Sequence, residues 1–381
     1  MKIVADCQIP YVHQVFSEFG EVIMREGRAI NPQQVRDADV LLVRSVTRIN
    51  AELLSGSNVG FVASATSGVD HVDVDYLQQA GIVFAHAPGC NAQAVVEYVL
   101  SSLFVLASQN QFRLQDQVVG IIGCGQIGSR LAQAFSTLGV RCLLNDPPLK
   151  EAAIGGPYSD LQDILNADII TLHVPLTGSG KHPTRHLVNG HFLSKLKPGA
   201  ILVNTSRGGV VDESALTQNL RQRHFPLVLD VWEHEPVINR ELLAAVAIGT
   251  PHIAGYTLDA RLRATDMIYR RLCVYLHLSG SWSPDTELAH LPGRDVKIEA
   301  GVDTLAGLEM AVLSHYDVRS DAAALHQSLN MEAQAASRYF DELRRSYPVR
   351  REFPATTVSL SAADNPLAGI LDRLGFRVAS H

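Results

Sequence analysis

The sequence has no surplus of positive charge: 32 Lys and Arg stand against 39 Asp and Glu, for a formal net charge of −7. Binding to nucleic acid through phosphate contacts needs the opposite balance, so DNA and RNA are not expected partners. Cysteine is scarce and scattered, with five residues at positions 7, 90, 124, 142 and 273. An odd number without C-x-x-C spacing gives neither a disulfide framework nor a thiolate metal site, and free thiols are expected. The start, MKIVADCQIP, lacks a basic segment followed by a long apolar stretch. No secretory signal is read there, and a cytoplasmic location is expected. The most apolar helix-like run, VVEYVLSSLFVLA from Val95, carries Glu97 and falls short of the roughly 20 residues that span a bilayer. It reads as a core helix, with no membrane as partner. Internal repeats and low-complexity stretches are also missing.

Histidine is locally dense in KHPTRHLVNGH, with His182, His186 and His191. Pro183 breaks the helical register that would put an i, i+4 pair on one face, and no Cys or carboxylate within the stretch completes a ligand set. A polar surface loop is expected there, and no metal.

What is present is alternation. At 381 residues the chain is too long for one ordinary domain. Short β-branched runs alternate with helix-length segments: KIVAD, DVLLVRS, GFVASAT and IVFAHAP fall in the first ninety residues. After a long helix beginning near Asn91 come VVGIIGCG, RCLLNDP, DIITLHVP, AILVNTSR, PLVLDVW and AIGTPHIAG. Near-continuous apolar strands separated by helices predict parallel sheets covered on both faces. TLDARLRATDMIYRRLCVYLHL then has Leu258, Leu262, Ile268, Leu272, Tyr275 and Leu276 in a helical stripe that could pack back on the first sheet. SGSWSPDTELAHLPG reads as a linker, and beyond it DVKIEAG, TTVSLS and one or two amphipathic helices from Ala322 to Arg345 read as a smaller α+β unit.

GIIGCGQIGSRLAQAF carries Gly123, Gly125 and Gly128 in G-x-G-x-x-G, with an apolar strand before it and a helical run after it. In that context the pattern is a dinucleotide fingerprint. The glycines permit a tight turn and close backbone approach, and the helix start through Gln126 and Ile127 offers free N–H groups to a pyrophosphate. The next strand ends on Asp146, close to the expected distance for the acid that binds the adenosine ribose. A carboxylate there repels a 2′-phosphate, and the first following base is Lys150, so NAD is favoured over NADP.

Three charged or titratable groups stand just after later strands: Arg207 in LVNTSRGGVV, Glu235 in LDVWEHEP and His252 in TPHIAGY. Ligands of doubly wound sheets bind outside the carboxyl ends of strands, so the three could share a crevice. Oxidising an alcohol needs a base for the hydroxyl proton, which suits His252 near neutral pH. A neighbouring carboxylate would hold the ring, with Glu235 the candidate and Glu233 its rival. Arg207 offers a planar fork to a substrate carboxylate and the developing carbonyl oxygen.

GIIGCGQIG with its Asn-Asp, LKPGAILVNTSRGGVVDESAL, DVWEHEP and TPHIAG together resemble the D-isomer-specific 2-hydroxyacid dehydrogenase family over roughly residues 40 to 257. The resemblance implies an α/β protein with two Rossmann-like doubly wound parallel-sheet domains: residues 1–91 with 258–283 for substrate and 92–257 for NAD. It assigns Arg207, Glu235 and His252 as the catalytic trio. VRSVTRIN, ATSGVDHVD, PGCNAQAVVEYV and the tail FDELRRSYPVRREF resemble the branch of the family that oxidises 4-phospho-D-erythronate to 2-oxo-3-hydroxy-4-phosphobutanoate in pyridoxal 5'-phosphate biosynthesis. That branch implies a small α+β C-terminal dimerisation domain, residues 284–381, and hence a homodimer.

The same resemblance puts Ser45, Thr66 and Tyr256 on substrate and Val174, Thr205, Ser206, Arg207, Asp230 and Gly255 along the NAD site. Val174 stands where relatives carry Thr, which leaves its backbone to contribute. For the substrate phosphate Arg44 is the first candidate and Arg48 the second, both equally readable as solvated surface charge; the basic run RRSYPVRREF is a third if a partner subunit reaches into the cleft, and otherwise reads as the charge of a dimer face. Rival readings are a family member acting on phosphoglycerate, glycerate or lactate, and a non-enzymatic scaffold that binds NAD to control association.

Overall fold

The computed structural model describes residues 1–223, 225–361 and 366–380. The chain folds as two compact units, Met1–Asn91 with Tyr256–Leu291, and Ala92–Gly255 with Pro292–His381.

The first unit is built on a five-stranded parallel sheet of β1 (Lys2–Asp6), β2 (Glu21–Arg25), β3 (Val40–Val43), β4 (Phe61–Ser64) and β5 (Val83–His86), in the order β2-β1-β3-β4-β5. Alternate residues serve opposite faces: Ile3 and Ala5 join one apolar cluster and Val4 the other. The helix Leu258–Tyr275 returns to this sheet and buries Ile268, Tyr269, Leu272 and Cys273 against Ile3, Val40 and Phe61. Cutting Ile268 or Leu272 to Ala would cost about 2–5 kcal/mol. The expected stripe is rotated slightly, since Tyr269 and Cys273 are buried while Tyr275 is 38% exposed. The stretch read as a linker is more structured than expected. It holds a helix, Pro284–Ala289, and Trp282 packs beside Tyr269.

The second unit carries a six-stranded parallel sheet of β6 (Val118–Ile122), β7 (Arg141–Asn145), β8 (Ile169–Leu172), β9 (Ile201–Asn204), β10 (Leu227–Leu229) and β11 (Ile248–Gly249). Its order, β11-β10-β9-β8-β6-β7, reverses direction between β6 and β8, the topological switch point where doubly wound sheets bind ligands. The helix Ala92–Asn110 is long and apolar enough to span a membrane by length and composition, and 78% of its 18-residue apolar window is buried inside the protein.

The C-terminal segment adds a parallel three-stranded sheet, β12 (Arg294–Ile298), β13 (Thr356–Leu360) and β14 (Arg377–Ser380), in that order. It packs with the second unit. Leu325 and Phe340 enter the same core cluster as Leu202, Leu227 and Trp232. Glu97, the one charge in the apolar helix run, accepts hydrogen bonds from the Phe353 N–H at 2.7 Å and from Gln93 at 2.9 Å. Its second oxygen lies 3.5 Å from His315 Nε2. Through Oε1 the buried carboxylate thus ties the core helix to the tail, while Oε2 has no hydrogen-bond partner among the described residues.

Candidate active site

The glycine turn after β6 is set by sterics. Gly123 has φ of 90°, and a Cβ there would meet the His173 backbone at 2.7 Å. At Gly128 a Cβ would fall 1.9 Å from the Gly123 carbonyl oxygen, so the helix Gln126–Thr137 can approach the turn this closely only with glycine. A Cβ at Gly125, which caps that helix, would meet nothing within 4 Å. The opening thus lies in front of the N–H groups of the helix start, at Gln126 and Ile127, where the sequence motif leads one to expect a pyrophosphate.

Asp146 follows β7. One carboxylate oxygen accepts the Cys124 N–H at 2.9 Å, and the other caps the next helix through the Leu149 N–H at 3.1 Å. Each oxygen keeps a second lone pair for a ribose hydroxyl. Burial, with Asp146 nearby, pushes the Cys124 thiol up to about 12, so the one cysteine in the glycine loop stays a neutral thiol. His173 has no motif around it that singles it out in the sequence. Burial lowers it to about 3, and the neutral ring lies 2.9 Å from Thr171 Oγ1 and 3.4 Å from Thr205 Oγ1.

β9 leads into Thr205, Ser206 and Arg207. Asn204 organises this turn: its Oδ1 accepts the Ser206 N–H and hydroxyl, and its Nδ2 donates to the Arg207 carbonyl at 3.0 Å. Arg207 Nη1 in turn donates to the Ser206 carbonyl at 2.7 Å. Only glycine fits at position 208, directly after that arginine, since a Cβ would fall 2.0 Å from the Trp232 carbonyl. The turn after β9 is therefore seated on the turn after β10.

On that second turn Glu235 points both ways. Oε1 accepts the Trp232 N–H at 2.9 Å, and Oε2 lies 2.8 Å from His252 Nδ1. Burial works to raise the Glu235 carboxyl, but the charge and hydrogen bond of His252, helped by Arg344, hold it below its ordinary value of 4.5. It is a carboxylate at neutral pH. The rival, Glu233, is occupied elsewhere, 2.6 Å from His186 Nε2 and accepting the Glu213 N–H at 3.4 Å.

His252 adopts φ of 59°, a left-handed conformation that costs a non-glycine residue on the order of 1–3 kcal/mol unless its surroundings hold it. The surroundings do. Its N–H donates to the Asp230 carbonyl at 2.7 Å, and the Asp230 carboxylate accepts the N–H groups of Ile253 and Ala254 at 2.7 and 2.9 Å. Thr250 Oγ1 donates to the same carboxylate, and the Tyr98 hydroxyl donates to Thr250. Asp230 is thus engaged chiefly in shaping the histidine turn, beside Gly255, in addition to any contact with NAD.

The remaining candidates lie in the first unit. Ser45 is exposed. Thr66 Oγ1 is 2.7 Å from Ser64 Oγ and donates to the Gly68 carbonyl. Arg44 joins Asp6 at 2.9 Å and donates through Nη1 to the Tyr256 hydroxyl at 3.1 Å, so two of the expected substrate residues touch. Arg48 is exposed. Sequence reading missed Arg261, whose guanidinium lies 5.5 Å from the Tyr256 ring centroid. Burial, and the neighbouring charge of Arg44, lower its pKa against the pull of Tyr256 and Asp6. The helical register Thr257–Arg261 was legible, but nothing in it pointed to Asp6.

The histidine-rich stretch meets two separate carboxylates, His182 at Glu151 and His186 at Glu233. Among the described residues no group of three or more His, Cys, Asp or Glu has the geometry to hold a metal ion.

Comparison with known proteins adds to this geometry. A family model described as "D-isomer specific 2-hydroxyacid dehydrogenase, NAD binding domain" matches residues 102–254, and one for a domain of unknown function matches residues 288–375. The chain is 46% identical to an erythronate-4-phosphate dehydrogenase of Hahella chejuensis, covering 100% of both chains. It is 43% identical to one of Cronobacter sakazakii, covering 100% of this chain and 99% of that one. Among solved structures it is similar to NAD-bound 3-phosphoglycerate dehydrogenase of Entamoeba histolytica, with a TM-score of 0.63 and 25% identity over 73% of this chain and 95% of that one.

Proposed function

Because the chain belongs to the D-isomer-specific 2-hydroxyacid dehydrogenases, and within them to the erythronate-4-phosphate dehydrogenases, we infer that it oxidises 4-phospho-D-erythronate to 2-oxo-3-hydroxy-4-phosphobutanoate with NAD, a step in pyridoxal 5'-phosphate biosynthesis. The single observation that carries the chemistry is the 2.8 Å contact between His252 and Glu235 at the strand ends of a dinucleotide-binding sheet. That contact fixes the tautomer. With Nδ1–H donated to the carboxylate, Nε2 is left with a lone pair to take the proton of the 2-hydroxyl.

NAD, when bound, accepts the hydride from C2. The chain's own residues do the rest. Glu235 stabilises the imidazolium that forms on His252. Arg207 orients the substrate carboxylate and draws charge from the oxygen that becomes a carbonyl. Gly123, Gly125, Gln126, Ile127 and Gly128 hold the pyrophosphate, Asp146 holds the ribose, and Val174, Thr205, Ser206, Asp230 and Gly255 line the remainder.

Ser45, Thr66, Tyr256 and Arg44 are assigned to substrate. The phosphate is assigned to Arg44 with Arg261, because Arg44 pairs with the one carboxylate of Asp6 and Arg261 shares its field, which leaves a positive charge over. The enzyme is assigned to the cytoplasm as a homodimer joined through residues 284–381, acting without nucleic acid or membrane. Sedimentation at twice the 41.4 kDa chain mass tests the dimer. His252→Ala tests the chemistry: turnover drops by about 10² to 10⁴ if His252 is the general base, and wild-type turnover removes it from that role.

A further inference from the structure

We propose that Arg350, in the C-terminal segment, is a positioning residue for catalysis: it clamps the turn that carries His252 by binding the carbonyl oxygens of Ile253 and Ala254. The proposal rests on the reading of His252 as the base and gives the tail a part in the same reaction.

The turn after β11 presents four backbone groups beside His252. The N–H groups of Ile253 and Ala254 go to the Asp230 carboxylate at 2.7 and 2.9 Å. The two carbonyls of the same residues go to one guanidinium: Arg350 Nη1 donates to Ile253 O at 3.4 Å, and Nη2 donates to Ala254 O. Nη2 also donates to the Ala94 carbonyl at 3.3 Å, which anchors the fork on the core helix. An anion therefore holds the N–H groups, and a cation the carbonyls, of two adjacent residues. The residue immediately before them is the one with a left-handed backbone.

The guanidinium is built into place. Arg350 is 7% exposed, and its charged carbon lies 4.3 Å from the Tyr316 ring centroid. The Tyr347 hydroxyl accepts from Nη1 at 3.5 Å and donates to Asp321, which also receives the Tyr316 hydroxyl, both at 2.7 Å. Burial pushes the Asp321 carboxyl up, while these hydroxyls and the charge of Arg350 draw it down. A buried arginine spent on main-chain carbonyls is costly to desolvate. Its planar fork fixes direction as well as distance, which a lysine cannot reproduce. For hydride transfer the angle of the imidazole matters as much as its presence, and a displacement near 1 Å arising away from the chemistry can cost about 10²-fold.

The test is a mutant cycle on the full-length protein, with Arg350→Lys made alone and with His252→Ala. Arg350→Lys is expected to lower kcat by about 10- to 100-fold, with the Kd for NADH, read by nicotinamide fluorescence, staying within about 3-fold. In the His252→Ala background the same change should cost less than about 3-fold, because no imidazole is left to misplace. Equal losses in the two backgrounds, or wild-type kcat in the single variant, overturn the proposal. A His252→Ala enzyme with full activity overturns the general-base reading instead, so the two failures are distinct. If Arg350→Lys does not yield folded protein, Tyr347→Phe removes one hydroxyl from the clamp. It should lower kcat about 3- to 10-fold in the parent and leave the His252→Ala rate unchanged; any other pattern contradicts the clamp.

Discussion

Glu235→Gln isolates the contribution of one proton position. The carboxylate accepts twice, from the Trp232 N–H at 2.9 Å and from His252 Nδ1 at 2.8 Å. A glutamine has one acceptor oxygen and one donor NH2 at these two places. If the oxygen faces His252, the NH2 is driven against the Trp232 N–H, and a donor is left facing a donor. With the amide turned over, the NH2 donates to Nδ1, the ring carries its proton on Nε2, and no lone pair faces the substrate hydroxyl. Both arrangements also remove the charge that stabilises the imidazolium. The corresponding asparagine change in a serine protease, which leaves the ring in the wrong tautomer, lowers kcat about 10⁴-fold. Here a fall of about 10² to 10⁴ is expected, or about 3 to 5 kcal/mol of transition-state stabilisation at 1.36 kcal/mol per decade. The assay is initial-rate NADH formation at saturating substrate, with NADH affinity measured alongside to verify the fold. A variant that binds NADH normally and turns over within about 3-fold of the parent would refute the tautomer argument.

Asp146→Ala removes the proposed ribose acceptor together with the cap of the following helix, and should weaken NAD about 10- to 100-fold while narrowing the preference over NADP; titration with NADH and NADPH reads both. An unchanged affinity ratio would take Asp146 off the ribose. Arg261→Met should raise KM for the phosphorylated substrate by about 10-fold or more and leave kcat/KM for unphosphorylated erythronate alone, as steady-state kinetics with the two acids will tell. Because the folded pKa of Glu235 lies below the ordinary 4.5, its interaction contributes stability above pH 4.5 and loses it as pH falls through the lower folded value. Melting temperatures of the parent and of Glu235→Gln should therefore converge as pH is lowered from 6 to 3, and parallel curves would contradict this.

Features governed by local sterics or by a contiguous pattern were legible in the sequence. The glycine turn is one, because each of Gly123 and Gly128 answers to a contact within a few residues or one strand away. The helix Ala92–Asn110 is another, its apolar residues running all around it. β2 escaped notice because Glu21–Arg25 is an edge strand with both ends exposed and charged, so its apolar run is only Val22 to Met24. The helices Thr304–His315 and Pro366–Leu374 were likewise not read, and the tail's union with the second unit was invisible for a different reason. It rests on Glu97, Arg350 and Phe340, each paired with partners far along the chain, and no periodicity reports such a contact. Arg261 belongs with these: on its helix it reads as one more surface charge, and only the fold brings it to Arg44 and Asp6.

The most direct test of the central claim is the initial rate of NAD reduction with 4-phosphoerythronate, unphosphorylated erythronate and 3-phosphoglycerate at equal concentrations. The account predicts a kcat/KM for 4-phosphoerythronate at least about 10²-fold above both others, since neither lacks the 2-hydroxy acid proposed to meet His252 and Arg207, and only the far end differs. Comparable rates for 3-phosphoglycerate, or no reduction of NAD with any of the three acids, would contradict it.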